Sequence, residues 1–346
     1  MERVLRFGIV GTGAIAKAYE SAFAGLECAR IVAACDADAA AVEEFARRLG
    51  CAAYTSYEHM AEDGALDAVV VCTPPWTHEA VSTYFLRRGS AVLCEKPLAT
   101  SVSSALRMLQ AAEWNGSLFT MASKFRYVDD VRRARELALD GTIGEVVLIE
   151  NAFTGRVDMS SRWNSDPARS GGGVLIDNGT HAVDILRYFL GALSDVQAFE
   201  SKRIQGLRVE DTVRLFVRSE GGVTGTSDLS WSIDNELDTY LRIYGSRGTI
   251  LVGWQESRYR CSRQSEWRVF GHGYDKVRAF RGQIQNFCNA LLGHEALVIT
   301  PLDALASVEV IETAYAALER SHWEKIHRSA ARGVHPFPGL PERRVS

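Results

Sequence analysis

Apolar and polar positions keep one rhythm over the first 125 residues, where short unbroken apolar runs alternate with segments of helical spacing. The runs are Arg6–Val10, Ala29–Cys35, Ala68–Cys72, Ala91–Cys94 and Leu118–Ala122. Continuous apolarity marks strands covered on both faces, as in a parallel sheet. Between them the spacing predicts helices over Lys17–Phe23, Ala39–Leu49, Glu79–Arg88 and Val102–Trp114. Alternating strands and helices call for a parallel sheet with right-handed crossovers.

The rhythm changes at Ser123-Lys124-Phe125-Arg126-Tyr127. A helix over Val131–Leu139 stops at Asp140-Gly141, with the glycine as C-cap. Strands then dominate: Glu145–Ala152, Val196–Arg203, Asp211–Arg218, Val223–Trp231, Thr239–Tyr244, Thr249–Val252 and Trp267–Phe270. Glycine-rich turns at Ser219–Gly222 and Gly245–Gly248 link neighbours as hairpins. The pattern predicts an α+β unit built on a large, mostly antiparallel open sheet, an antiparallel meander with one face under helices. The amphipathic segments Val277–Leu292 and Asp303–Glu319 close it. The expected division is a parallel α/β unit over residues 1–125 and a strand-rich α+β unit over 126–346. The tail from about His327, with Pro336, Pro338 and Pro341, is expected to be extended or disordered.

A length of 346 residues is enough for two cores. The formal charge of −4 gives no electrostatic case for nucleic acid or an anionic membrane as partner. Apolar runs such as Ala68–Cys72 are too short to span a bilayer, and the start of the chain carries no secretory pattern. Seven cysteines without a CxxC pair read as reduced core thiols of a cytoplasmic protein and argue against a zinc site.

Three stretches carry candidate chemistry. The first strand runs into Gly11-Thr12-Gly13-Ala14-Ile15-Ala16 and then a helix, the order a dinucleotide fingerprint requires. Gly11 permits the tight turn, Gly13 the approach of a pyrophosphate, and Ala16 close helix packing. Asp36, ending the second strand, can accept from both ribose hydroxyls, cap the following helix, or do both. No lysine or arginine follows it closely, so NAD is favoured over NADP. Thr73-Pro74-Pro75 keeps the chain extended past the third apolar run, and His78 reads either as a cofactor contact or as a solvated first-turn residue. Glu95-Lys96-Pro97 follows the fourth run at the sheet end that opens onto a ligand crevice, where a lysine can hold a substrate hydroxyl. In the second half, Gly171-Gly172-Gly173 precedes a helix that sets Asp177, His181 and Asp184 on one face. Asp177 can fix the tautomer of His181 one turn away. The glycines and Gly179 mark a face approached by a ligand or by another backbone.

With these motifs in this order, together with Gly141-Thr142-Ile143-Gly144, the chain resembles the Gfo/Idh/MocA family, the glucose–fructose oxidoreductase and inositol dehydrogenase group, from Arg6 to about Trp323. The resemblance implies a Rossmann domain followed by an α/β domain whose open sheet forms a homodimer or homotetramer interface. Exposed-looking Trp231 and Tyr240 suit such a face or a core. It also implies that Lys96 lies beside the nicotinamide and that Asp177 and His181 are active-site residues. Gly11, Gly13, Ala14, Ile15, Ala16, Asp36, Thr73, Pro74, His78, Glu95 and Lys96 are then the expected cofactor-binding set. Arg126, Tyr127 and Trp163 are expected to join Lys96, Asp177 and His181 around the substrate. The activity implied is oxidation of a secondary alcohol on a sugar, sugar derivative or cyclitol by NAD, with His181 taking the proton and Lys96 stabilising the oxygen. A redox-neutral enzyme that retains NAD, a biliverdin reductase-like reductase and a non-catalytic NAD sensor are the alternatives.

Overall fold

The computed structural model describes residues 3–63, 65–262, 264, 266–320 and 324–326, so the expectation for the tail lies outside the described residues. In chain order the first part comprises β1 (Leu5–Val10), α1 (Ala16–Phe23), β2 (Ala29–Cys35), α2 (Ala39–Leu49), β3 (Ala52–Tyr54), α3 (Tyr57–Asp63), β4 (Ala68–Val71), α4 (His78–Leu86), β5 (Ala91–Glu95), α5 (Val102–Asn115) and β6 (Phe119–Ala122). The six strands form a parallel sheet in the order β3-β2-β1-β4-β5-β6. Its centre is apolar on both faces: every residue of β4 and β5 is buried. The order reverses between β1 and β4, and the crevice at such a switch point is where an open α/β sheet takes ligands.

The rest comprises α6 (Asp129–Leu139), β7 (Val146–Thr154), α7 (Pro167–Ser170), α8 (Val174–Leu190), β8 (Leu193–Glu200), β9 (Thr212–Ser219), β10 (Thr224–Ser230), β11 (Thr239–Gly245), β12 (Gly248–Gly253), β13 (Ser257–Cys261), β14 (Arg268–Gly271), α9 (Lys276–Leu291), α10 (Pro301–Arg320) and β15 (Glu324–Lys325). Nine strands make one sheet, β14-β13-β12-β11-β7-β10-β9-β8-β15. It is mostly antiparallel but not a plain meander, because β7 and β10 pair in parallel through its middle. Helix α8 lies against the inner face with Val183, Leu186 and most of its other apolar residues buried among those of β7, β9 and β10. Trp231 and Tyr240 belong to that core, with 3% and 1% exposure, and not to an outer face.

The chain then returns to the first sheet. Helix α9 sets Phe280 4.9 Å from Tyr19 and Phe287 6.2 Å from Phe7, ring to ring. Ala304, Leu305 and Val308 of α10 enter the core on the sheet's other side. Both halves are therefore fastened together beside the crevice, since each buried aromatic contributes about 1.5–3 kcal/mol.

Candidate active site

The glycine loop takes its shape from its neighbours. Gly11 has φ +94°, and a Cβ there would fall 2.7 Å from the backbone of Cys72 and Thr73, so only glycine lets the β1 and β4 loops lie together. A Cβ on Gly13 would meet nothing within 4 Å, which leaves its backbone approachable. The amides of Gly13, Ala14 and Ile15 donate to no protein acceptor among the described residues, and they head α1. These are the donors and the helix dipole that a pyrophosphate requires. Ala16 is fully buried at the start of the helix.

Asp36 does not cap α2. Asp38 does, accepting from the Ala41 amide, while Asp36 Oδ2 accepts from the Thr12 amide at 2.7 Å and the Thr12 hydroxyl at 2.9 Å. The carboxylate thus anchors the glycine loop at the end of β2 and keeps an anion where a ribose would lie. Glycine loop, helix start and Asp36 together fit a dinucleotide.

His78 is neither solvated nor free to bind a cofactor through its nitrogens. The ring is fully buried, with Nδ1 2.9 Å from the Pro97 carbonyl and Nε2 2.8 Å from that of Thr73. Burial pulls its pKa down, so the ring is neutral and donates to one of the two carbonyls. It ties the loop carrying Thr73 and Pro74 to the loop carrying Lys96, where the Lys96–Pro97 peptide is cis. Glu95 is likewise internal. Its Oε1 accepts from Tyr19 Oη at 2.8 Å, its Oε2 from the Lys96 amide at 3.1 Å, and burial raises its pKa.

Lys96 and Asp177 meet: the Lys96 ammonium pairs with Asp177 Oδ1 and also donates to the Asp177 carbonyl at 3.2 Å. This spends the carboxylate on the lysine and not on the imidazole. His181 follows one turn later on α8, with Nδ1 buried and without a hydrogen-bond partner among the described residues. Its ring packs 5.1 Å from that of Phe125. Burial, then the charges of Lys96 and Lys124, hold its pKa well below 6.5. An amine, a carboxylate and a neutral imidazole therefore share one small volume at the carboxyl end of the first sheet.

Arg126 and Tyr127 do not face a substrate. Arg126 is 4% exposed and locked to Asp184 at 2.6 Å, with Asp303 at 3.5 Å, while Tyr127 Oη donates to Asn286 at 2.9 Å. Asp184, on the turn after His181, is thus a core counter-ion. Trp163 stands partly exposed on a single turn ahead of α7, and Arg169 of that helix lies 5.7 Å over the ring of Trp76. The glycine run approaches protein: a Cβ on Gly172 would strike Tyr315 Oη and one on Gly173 the Glu210 carbonyl, at 1.9 and 2.0 Å. Glu210 is the true cap of α8, its Oε1 accepting from Gly173 and Leu175 amides and from Tyr315 Oη. No local signal announces it, because it lies 37 residues from Gly173. Lys124 also escaped notice, although it stands just beyond β6 much as Lys96 stands just beyond β5.

Comparison with known proteins agrees with this architecture. The model of an oxidoreductase family with an NAD-binding Rossmann fold matches residues 5–123, and that of the GFO/IDH/MocA C-terminal domain matches residues 131–251. The chain belongs to this Gfo/Idh/MocA family of NAD-binding oxidoreductases. Inositol 2-dehydrogenase of Rhizobium meliloti (strain 1021) is 28% identical over 330 residues, 90% of this chain and 96% of that one. Trans-1,2-dihydrobenzene-1,2-diol dehydrogenase of Mus musculus is 29% identical over 254 residues, 72% and 74% of the two chains. Levoglucosan dehydrogenase in complex with NADH shares the fold, with TM-score 0.88 at 20% identity over 94% of this chain and 100% of that one. No helix among the described residues is long and apolar enough to cross a membrane.

Proposed function

We propose that this protein oxidises a secondary alcohol of a sugar, a sugar derivative or a cyclitol and passes the hydride to NAD. The observation that carries the reading is the convergence of Lys96, Asp177 and His181 where the sheet opens. Bound NAD would supply the hydride acceptor. Asp177 holds the Lys96 ammonium in place, and Lys96 donates to the substrate oxygen as negative charge develops on it. His181, neutral at pH 7, takes the hydroxyl proton. With Nδ1 shut inside the protein, Nε2 is the nitrogen left for that task. Asp36, with acidic Asp38 two residues on and no cation between, supports NAD over NADP. The likeness to inositol and dihydrodiol dehydrogenases supports a vicinal or ring alcohol as substrate.

The outer face of the nine-stranded sheet supports assembly into a homodimer or homotetramer, with Phe199 half exposed and 6.0 Å from Phe216. The test is a screen of sugars, cyclitols and their derivatives with NAD and NADP, with light scattering on the same preparation. Net NADH formation, faster than NADPH formation, from an assembly of two or four chains is expected. Substrate consumption with no net NADH would instead establish the redox-neutral reading.

A further inference from the structure

Arg126 does not supply anion recognition at this site, because it is already neutralised by Asp184. A different cation is left over. Lys124 follows β6, whose Ala122 pairs with Glu95 of β5, so it emerges beside Lys96 at the same end of the sheet. Its ammonium sits among three rings, 5.5 Å from the centroid of Phe125, 5.7 Å from Phe280 and 5.8 Å from Tyr274. It is largely enclosed yet partly accessible, and it forms no hydrogen bond or ion pair among the described residues.

The neighbouring carboxylates are spoken for. Glu95 accepts from Tyr19 and from the Lys96 amide, and Asp177 accepts from the Lys96 ammonium. An enclosed ammonium without an acceptor is costly, and an anionic oxygen is the partner that relieves it best. We propose that Lys124 binds a carboxylate on the substrate, so that the alcohol oxidised belongs to a sugar acid. One ammonium suits a monoanion, whereas a phosphate dianion would stay half paired. This inference rests on the dehydrogenase reading above and narrows its substrate class.

Burial and the charge of Lys96 push the Lys124 pKa down to about 8. The titratable groups facing it are Glu95 at the end of β5, Lys96 just beyond it, Asp177 and His181 on α8, Tyr274 ahead of α9 and Lys276 at its start. Lys124 is charged below that pH and neutral above it, so selectivity for an acid fades as pH rises through about 8.

The test is calorimetric titration of the NADH-loaded protein with D-galacturonate, D-galactose and D-galactose 6-phosphate, and with the corresponding gluco series. Binding needs no turnover, so its outcome is separate from any failure of the dehydrogenase reading. The acids are expected to bind about tenfold or more tightly than the neutral sugars at pH 7, a ratio that shrinks toward unity at pH 9. Lys124→Met should abolish the ratio while leaving the melting temperature unchanged or raised, since it removes an enclosed charge. Lys124→Arg should retain part of it. Neutral sugars or phosphates binding as tightly as the acids, no binding of the acids, or a Lys124→Met protein that keeps their advantage would each overturn the proposal.

Discussion

His181 and Asp177 occupy the same helix face, yet among the described residues only Asp177 has a side-chain bonding partner. The carboxylate is committed to Lys96, which leaves the imidazole to be governed by burial and by two ammonium groups. All three influences disfavour its charged form, so its folded-state pKa lies below 6.5. An unfolded chain would take up a proton at His181 as pH falls through about 6.5 while the folded one does not, so this residue's contribution to stability declines below that pH. Activity shifts in the same way relative to an ordinary histidine base: kcat/KM is expected to stay level as pH falls through 6.5 and to drop only at lower pH. A pH profile with its acidic limb centred at 6.5 would contradict that. The spacing of Asp177 and His181 was legible because helix periodicity is local. What Asp177 binds was not, since Lys96 lies 81 residues away and competes successfully for the carboxylate.

Helix α8 carries both groups, and its position depends on a cap that comes from another part of the chain. Gly173 offers no side chain, so Glu210 supplies the acceptor for the first amides, and its backbone carbonyl takes the Val174 amide at 2.9 Å. Replacing Glu210 by Ala removes the acceptor of two amides and of the Tyr315 hydroxyl, and is expected to cost about 1–3 kcal/mol. The denaturant midpoint reads this, with Glu210→Gln intermediate. An unchanged midpoint for the alanine variant would mean the helix start is held by something else. The glycine run was visible as a close approach, but the approaching group was not. Polar pairs such as Arg126–Asp184 show the same limit, because charge in a sequence does not reveal whether its partner is substrate or protein. Short or polar elements also went unseen. Strand β3 has three residues with none buried, and β13, one strand in from the sheet edge, alternates arginine with small or aromatic residues.

At the scale of the whole molecule, two sheets meet across one crevice. Five strands of the first sheet and its glycine loop follow from apolar runs and glycine spacing that neighbouring residues determine, so they could be read directly. The parallel pairing of β7 with β10, and the return of α9 and α10 to the first sheet, depend on contacts between distant segments that no local pattern records. That return fixes Lys96 against α8, and so makes one site from two units. Hydride transfer in a single turnover is the direct measure: NAD-loaded protein is mixed with the best substrate of the screen, and NADH absorbance is followed for wild type, Lys96→Met and His181→Ala. Each variant is expected to transfer hydride on the order of 10²–10⁴ more slowly with NAD affinity near wild type. Near-normal transfer in both would contradict the assignment of this site.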